Sequence, residues 1–406
     1  MTTVLLLRGY SVNPYELRPW ELLGPEYSVS ALICRGNDHG VSSLSLPKVR
    51  ASGLRDRIGL SLLPPSMASP VAAATAAAGQ LVADSYRGAD AAFAEADIVH
   101  TAELSTWFSA DAAARRMLDR RRHHYRLVVT VWETLPLRDS YRTRRARHNR
   151  RLVLDEADLF LPTTKRAAHA LLAEGVPARK IEVCPPGVDA TRFTSSPAHG
   201  GLEPTHVVLS VGRLVWEKGH QDVIRAFAAL RRGMLPVPST AQDPQLVIIG
   251  RGPERARLEQ HITELGVRDF ARIIPGLDHD AMAAEYADAS VLVLASLPQA
   301  MGPLSPVRGP EVFWEEQFGM VLVEAMASGL DIIATRSGAI PEVLAGSGRL
   351  VDPGDWWALA RAIAAGPLRR PPAERVSYPP ELREQYSAEA AAKRLDHHYR
   401  QVGHGA

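Results

Sequence analysis

Short apolar runs recur along the chain, and each is separated from the next by a segment of helix-compatible composition. In the first half the runs lie at residues 4–7, 29–33, 97–100, 127–131 and 159–162. In the second half they lie at residues 207–211, 246–250, 271–274, 291–295 and 332–334. Strands that alternate with helices form a parallel sheet with right-handed crossovers. The pattern therefore predicts an α/β protein.

A change of composition divides this alternation into two halves. Residues 185–189 and 194–201 are rich in turn formers and poor in periodic apolar positions, which is typical of a linker. The length of 406 residues also favours two domains over one. We predict four segments along the chain: a first domain over 1–188, a linker over 189–204, a second domain over 205–378 and a terminal segment over 379–406. The last segment is predicted to carry one helix, residues 381–402, that returns to the first domain.

The composition is 46% hydrophobic, 23% charged and 6% aromatic, as in soluble globular proteins. Cys34 and Cys184 are the two cysteines, and they are far apart in sequence, so the sequence indicates neither a disulfide framework nor a four-ligand zinc site. The apolar run at the N-terminus stops at Arg8, short of a signal-peptide core or a membrane span. These features predict a cytoplasmic protein.

The net charge of +2 is unevenly distributed. Residues 115–151 contain 13 arginines and three acidic residues, a local charge of +10 that leaves −8 for the rest of the chain. Such a block can meet phospholipid head groups, an anionic acceptor or nucleic acid. It can equally form solvated helical faces, and the sequence favours neither interpretation.

Gly212, Arg213 and Lys218 directly follow the apolar run at 207–211. A glycine at a strand end followed by two cations suits a short loop that presents both charges to one ligand. The planar fork of arginine and the mobile point charge of lysine both match the oxygens of a diphosphate. An isolated pair with this spacing is more often solvated surface.

Glu316 and Glu324 are separated by seven residues, and Phe318, Gly319 and Met320 between them mark the start of a helix. Glu316 is then expected in the loop before the helix and Glu324 near its second turn. A helix N-terminus offers free backbone N–H groups to a phosphate, and glycine lets the ligand approach the backbone. Because glutamate near a helix start is favoured anyway, the pair alone does not decide its role.

Together these motifs resemble glycosyltransferase family 4, the retaining enzymes with an E-x7-E motif. The resemblance rests on residues 157–162, 175–181, 186–193, 211–219, 248–253, 316–329 and 337–342. It implies the GT-B fold, in which two Rossmann-like domains with parallel sheets face each other across a cleft. The N-terminal domain is then expected to bind the acceptor and the C-terminal domain the nucleotide sugar.

The resemblance also implies roles for single residues. Arg213, Lys218 and Glu316 are expected to be catalytic, with the two cations on the diphosphate and Glu316 on the hydroxyls of the donor sugar. Glu324 is expected to bind the ribose. The full set of donor-binding residues is then Gly212, Arg213, Lys218, Arg251, Phe318, Gly319, Met320 and Glu324.

The first half departs from the family pattern at Ala102, where many members carry a histidine. His100 and Glu103 are the nearest polar candidates to replace it, although His100 is also explained as a satisfied strand-end histidine. Glu133 follows another strand end and either binds acceptor hydroxyls or pairs with nearby arginines. With Gly9, these residues are the candidates for contact with the acceptor or the donor sugar.

The reaction implied is departure of the nucleoside diphosphate and attack by the acceptor on the same face of the sugar, with neither metal nor cofactor. The carboxylates of Asp278 and Asp280 are expected to cap a helix over 281–289 rather than to bind a metal. An insertion over 298–314 either covers the donor pocket or bulges into solvent.

The expected partners are a nucleoside-diphosphate sugar, an unidentified acceptor (lipid, saccharide or small metabolite) and, through residues 115–151, the anionic inner face of a membrane. No nucleic acid is expected. A sugar phosphorylase and a pseudoenzyme that only binds nucleotide sugars are the alternatives on the same scaffold.

Overall fold

A computed structural model describes residues 1–57, 84–137, 143–193, 205–238, 243–277, 279–298, 314–372 and 374–404. Its contacts divide the chain into two compact units. The first consists of Met1–Gly187 with Ala388–Ala406, and the second of Val188–Ser387. Within the described residues no helix has the length and apolar character that crossing a bilayer requires.

The first unit is built on a six-stranded parallel sheet of order β3-β2-β1-β4-β5-β6. Its strands are β1 Thr2–Leu7, β2 Tyr27–Cys34, β3 Lys48–Ala51, β4 Ile98–Ala102, β5 Arg126–Val131 and β6 Leu159–Pro162. The central strands are nearly continuous apolar runs, because a parallel sheet is covered by helices on both faces. Its helices are α1 Arg18–Glu21, α2 Leu54–Arg57, α3 Asp90–Glu95, α4 Trp107–Leu118, α5 Arg144–Glu156 and α6 Lys165–Ala173, with a 3₁₀ turn at Ala178–Lys180.

The second unit repeats this plan with a parallel sheet of order β12-β11-β10-β7-β8-β9. Its strands are β7 Val207–Val211, β8 Gln245–Ile249, β9 Ala271–Ile274, β10 Val291–Leu294, β11 Asp331–Thr335 and β12 Arg349–Val351. Its helices are α7 His220–Arg231, α8 Arg255–Glu264, α9 His279–Asp288, α10 Met320–Ala327, α11 Ile340–Leu344, α12 Trp356–Ala365 and α13 Pro380–Gln385. Short 3₁₀ turns lie at Ala190–Phe193, Trp216–Lys218 and Pro367–Arg369. The predicted α/β architecture of two Rossmann-like units is confirmed.

The end of the chain differs from the single helix predicted over residues 381–402. Helix α13 ends at Gln385, and a separate helix α14, Ala388–His404, follows. Between the two helices, Val188 donates its N–H to the carbonyl of Tyr386 and forms an isolated β-bridge with Ser387. The prediction of one continuous helix was wrong.

Helix α14 belongs to the first unit. The hydroxyl of Tyr399 accepts a hydrogen bond from the indole N–H of Trp20 at 2.8 Å and lies 2.6 Å from Nδ1 of His100. All three side chains are at least nine-tenths buried. The last helix therefore contributes a polar contact inside the core of the unit that begins the chain.

The residues that follow the crossing at 187–188 are part of the second unit. Ala190–Phe193 forms a 3₁₀ turn, and Phe193 is 2% exposed with its ring 5.5 Å from that of Tyr286. Four residues of the predicted linker thus form a 3₁₀ turn that the buried ring of Phe193 anchors. The remainder of that segment, 194–204, lies outside the described residues.

Candidate active site

The predicted donor-binding residues of the second unit follow the carboxyl ends of its parallel strands, where ligands of such sheets bind. The loops approach each other closely at two glycines. A Cβ atom at Gly250 would lie 1.9 Å from the carbonyl oxygen of Gly212, and one at Gly338 would lie 2.0 Å from that of Glu316. Only glycine fits at either position without a backbone shift. The strand ends are therefore packed backbone against backbone.

Lys218 and Glu316, predicted from separate motifs, are in direct contact. The Lys218 ammonium lies 2.6 Å from Oε2 of Glu316, and the hydroxyl of Ser296 donates to the same oxygen at 2.6 Å. The ammonium also lies 5.0 Å from the ring centre of Trp314. Glu316 is 5% exposed, so this ion pair is largely shielded from solvent. The sequence did not indicate Ser296, which comes from the end of β10.

Arg213 has a different environment from Lys218. Its side chain is 67% exposed, and the nearest acid, Glu217, is 4.0 Å away. Its backbone is fixed, however, because the carbonyl oxygen of Arg213 accepts a hydrogen bond from Nε2 of His220 at 3.2 Å. The loop therefore holds the main chain in place and leaves the guanidinium available to a ligand.

His220 was missed by the sequence reasoning, although its position directly after the glycine of the motif was a signal. Its imidazole is 1% exposed and contacts the hydroxyl of Ser210 through Nδ1 at 3.0 Å. Because a carbonyl can only accept, Nε2 carries the proton. Burial, helped by the charge of Lys218, lowers the pKa of His220 from 6.5 to about 4.

Glu324 lies in the second turn of α10, and Glu316 lies in the loop before that helix, as the spacing predicted. Gly319 precedes the helix with a left-handed φ of 85°. The Tyr286 hydroxyl donates to Oε2 of Glu324 at 2.7 Å. Burial raises the pKa of Glu324, and the hydrogen bond from Tyr286 opposes this shift.

Three other predicted donor-binding residues are placed as follows. Phe318 is 2% exposed and packs edge-on against Tyr386 at 5.6 Å, so its ring belongs to the core of the unit. Arg251 is exposed, and its guanidinium donates to the carbonyl of Gly276 at 3.0 Å. Met320 is partly exposed at the first turn of α10.

The first unit holds the acceptor candidates at its own strand ends. His100 is fully buried, and its Nδ1 and Nε2 atoms lie 2.6 Å from the hydroxyl of Tyr399 and 2.7 Å from that of Thr130. Burial lowers its pKa well below the usual value. A ligand could reach His100 only by displacing one of these partners. Its environment matches the satisfied strand-end histidine that is one of the two interpretations of this residue.

The other candidates are bound to the backbone around them. Glu103 has a left-handed φ of 65°, and its Oε1 accepts the N–H of Trp132 at 2.9 Å. Glu133 is 7% exposed, and its Oε1 accepts hydrogen bonds from the backbone N–H groups of the next two residues, Thr134 and Leu135. Gly9 has a φ of 60°, and a Cβ there would lie 2.6 Å from the ring of Phe108. These residues shape the loops at the strand ends.

Part of the positive charge of the arginine-rich block is compensated, because several of its arginines form ion pairs with acidic residues outside the block. Arg115 contacts Asp90 and Asp111, Arg116 contacts Asp158, Arg120 contacts Glu156 and Arg150 contacts Glu174. On α5, the described part of the chain provides no ion-pair partner for Arg144, Arg145, Arg147 or Arg151. Among the described residues, the arginines of the block without an ion pair are therefore these four on α5 together with Arg121 and Arg122.

The remaining predictions concern metal binding and the insertion. Among the described residues, no three His, Cys, Asp or Glu side chains are grouped as a metal site requires. The helix predicted over 281–289 is α9, which begins two residues earlier, and the proposed cap Asp278 lies outside the described residues. So does nearly all of the insertion, residues 299–313.

Two protein-family models match the chain in succession. The model described as Glycosyltransferase Family 4 matches residues 61–192, and the model described as Glycosyl transferases group 1 matches residues 192–376. The chain belongs to glycosyltransferase family 4. The second match contains every residue that the sequence predicted to bind the donor, from Gly212 to Glu324.

Curated relatives of this family 4 chain include two proteins with lipid or inositol acceptors in their names. It is 30% identical over 276 residues to a GDP-mannose-dependent alpha-(1-6)-phosphatidylinositol monomannoside mannosyltransferase of Mycolicibacterium smegmatis, covering 64% of this chain and 66% of the relative. It is 30% identical over 272 residues to a D-inositol 3-phosphate glycosyltransferase of Corynebacterium jeikeium, covering 62% and 59%. The alignments therefore span less than two thirds of either relative.

Solved structures share the fold of the family 4 chain over its whole length. Anabaena HepE in complex with UDP aligns with a TM-score of 0.66 at 17% identity, covering 99% of this chain and all of that one. The sucrose-phosphate synthase of Thermosynechococcus elongatus aligns with a TM-score of 0.65 at 20% identity, covering both chains fully. At these identities the likeness establishes the GT-B fold alone.

Proposed function

We propose that this family 4 chain is a retaining, metal-independent glycosyltransferase that transfers a hexose from a nucleoside-diphosphate sugar to a hydroxyl acceptor. The observation that carries the proposal is the contact of Lys218 with Glu316 at the strand ends of the second unit. Glu324 follows on the helix that begins beside this pair. The loop after β7 thus supplies a cation for the diphosphate, Lys218. The segment from Glu316 to Glu324 supplies one carboxylate for the sugar hydroxyls and one for the ribose hydroxyls.

The ligand-free arrangement suggests how donor binding proceeds. Before the donor arrives, Lys218 forms an ion pair with Glu316. The attraction between the two charges offsets part of the free energy that is needed to remove each of them from water. When the diphosphate binds, the ammonium gains phosphate oxygens, and the carboxylate can accept hydroxyl groups of the sugar. Ser296 keeps a hydrogen bond on Glu316 throughout this exchange.

Departure of the nucleoside diphosphate creates negative charge on the leaving phosphate. Lys218, Arg213 and the free N–H groups at the start of α10 are preorganised to stabilise it, which is where electrostatic catalysis is most effective. Acceptor attack on the same face of the sugar then gives retention. No metal is assigned a role, because side-chain cations and the helix N-terminus supply the positive charge.

The proposed acceptor is a hydroxyl compound that carries or adjoins negative charge, such as a phosphorylated polyol or a phospholipid head group. The names of the two curated relatives above support this chemistry. So do the four arginines of α5 that have no ion pair among the described residues. Each basic residue near an anionic membrane contributes about 1 kcal/mol, so these four can hold the protein there without a lipid anchor.

Product analysis tests the transferase proposal. The protein is incubated with UDP-, GDP-, ADP- and TDP-sugars labelled in the sugar, together with phosphatidylinositol or inositol 3-phosphate. We expect one donor to give a labelled glycoside with the anomeric configuration of that donor. Label appearing as sugar phosphate, and only when inorganic phosphate is added, would indicate a phosphorylase. Tight donor binding without any turnover would indicate a binding protein.

Vesicle sedimentation tests the membrane part of the proposal. The wild type is compared with a variant in which the α5 residues Arg144, Arg145, Arg147 and Arg151 are changed to Ser, at low and high salt. The matched control changes four exposed arginines of the second unit, Arg257, Arg268, Arg361 and Arg383. We expect only the α5 variant to lose binding to anionic vesicles. If the wild type fails to sediment at low salt, the acceptor is not presented by a membrane.

A further inference from the structure

The carboxylate of Glu324 is held by one of its two oxygens. Oε2 accepts the hydrogen bond of Tyr286 at 2.7 Å, and no described residue bonds to Oε1. Glu324 is partly exposed, whereas Tyr286 is fully buried. The tyrosine therefore approaches from inside the unit and leaves the second oxygen on the side that solvent or a ligand can reach.

Tyr286 is itself fixed from a third segment of the chain. Its ring lies on α9, and Phe193 meets it edge-on, with the ring planes at 88° and the centres 5.5 Å apart. Phe193 is 2% exposed and closes the 3₁₀ turn that follows the crossing into the second unit. A phenol between two packed elements has little rotational freedom, so its hydroxyl points in one direction.

We infer that Tyr286 is a positioning residue that orients Glu324 so that its free oxygen meets the ribose hydroxyls of the donor nucleotide. The inference rests on the proposed function, which gives Glu324 its ribose contact. An unanchored glutamate would lose side-chain entropy on binding, and the tyrosine removes that loss before the ligand arrives. Tyr286 does not touch the nucleotide itself.

The hydrogen bond also controls the charge of Glu324. An ionised carboxylate accepts from Tyr286 and from a ribose hydroxyl through its two oxygens, whereas protonation turns one of these oxygens into a donor. Burial raises the pKa of Glu324, and Tyr286 opposes this effect. Loss of the phenol hydroxyl would therefore both loosen the carboxylate and favour its protonated form, and each change weakens the contact with ribose.

The test compares nucleotides with and without ribose hydroxyls. Dissociation constants are measured by calorimetry for GDP and UDP, and the tighter of the two is compared with its 2′,3′-dideoxy form. We expect the wild type to prefer the ribonucleotide by at least about tenfold, because each hydroxyl bonded to a charged group contributes roughly that much. Tyr286→Phe is expected to lose most of this preference while binding the dideoxy nucleotide as the wild type does.

Two further variants complete the experiment. Tyr378→Phe is the matched control, since it removes another buried phenol hydrogen bond of the same unit, to the carbonyl of Leu330, away from Glu324. We expect it to keep the wild-type preference. Phe193→Leu loosens the ring but keeps the hydroxyl of Tyr286, and about a threefold loss of preference is expected. This variant serves as the test if Tyr286→Phe does not fold.

The outcomes separate this inference from the proposed function. If the wild type shows no preference for the ribonucleotide, the ribose role of Glu324 is wrong and Tyr286 has nothing to position. If Glu324→Gln loses the preference and Tyr286→Phe keeps it, only the inference about Tyr286 is overturned. Equal weakening of both nucleotides in Tyr286→Phe would reveal a general packing role and overturn it as well.

Discussion

Acidification should destabilise the second unit through His220, the buried imidazole that fixes the carbonyl of Arg213. Protonation would place a second N–H against Ser210 and a charge inside the core, close to Lys218. The folded state therefore resists protonation, and the pKa falls from 6.5 to about 4. We consider a shift of pH from 7 to 5 and compare its effect on the free energy of unfolding of the wild type and of His220→Gln.

The size of the effect follows from these two pKa values. Between pH 6.5 and 4 the unfolded chain binds a proton at this residue and the folded chain does not, so stability falls as the pH falls. The stabilisation is complete above pH 6.5 and is lost progressively below it. With one pKa unit equal to about 1.4 kcal/mol, the loss is about 2 kcal/mol at pH 5 and about 3 kcal/mol at pH 4.

Urea unfolding at pH 7 and pH 5 is the assay. Glutamine can still donate to the carbonyl of Arg213 and does not titrate. It does not reproduce the contact of Nδ1 with the Ser210 hydroxyl, so the variant should be less stable than the wild type at pH 7 by about 1–3 kcal/mol. The substitution should shift the unfolding transition of the second unit, which contains His220. The difference between the two proteins should shrink by about 2 kcal/mol on going to pH 5. His100 also has a lowered pKa, but it is common to both proteins and cancels. A difference that stays constant with pH would refute the reasoning.

Three further outcomes are expected. Arg213→Ala and Lys218→Ala should each slow turnover by roughly 10² to 10³, since each removes a preorganised charge from the leaving phosphate. Only Lys218→Ala should also lower the melting temperature, because it leaves the buried carboxylate of Glu316 without its counter-charge; equal melting temperatures in the two variants would contradict this. Turnover measured with EDTA should equal that with added magnesium, and restoration of activity by the metal would argue against a metal-free site. Gly338→Ala should lower both thermal stability and donor affinity, because its Cβ would lie 2.0 Å from the Glu316 carbonyl in a left-handed conformation; wild-type donor affinity would show that the loop can shift freely.

Local patterns predicted local structure well. The seven-residue spacing of Glu316 and Glu324 predicted a loop followed by a helix, because both positions depend on one short segment. The edge strands Lys48–Ala51 and Arg349–Val351 were missed, since they are only four and three residues long and carry few apolar side chains. An edge strand is partly solvated and needs no continuous apolar run.

Partners that come from distant parts of the chain could not be predicted from one sequence. Ser296 reaches Glu316 from the end of β10, and Tyr286 reaches Glu324 from α9. Neither residue type is distinctive on its own, and the contacts exist only after the sheet has brought the loops together. The same reason applies to the arginine block, whose counter-charges at Asp90, Asp158 and Glu174 lie outside it in sequence.

The return of α14 to the first unit has a consequence for synthesis on the ribosome. Val188–Ser387 is a single continuous stretch, whereas the first unit needs Ala388–Ala406 to bring Tyr399 to Trp20 and His100. At about 5–20 residues per second, the ribosome needs roughly 10 s or more to add the 200 residues of the second unit. The first unit therefore cannot complete its core until all residues of the second unit have been synthesised. The unit whose translation begins first is also the unit whose last helix is translated after everything else in the two units.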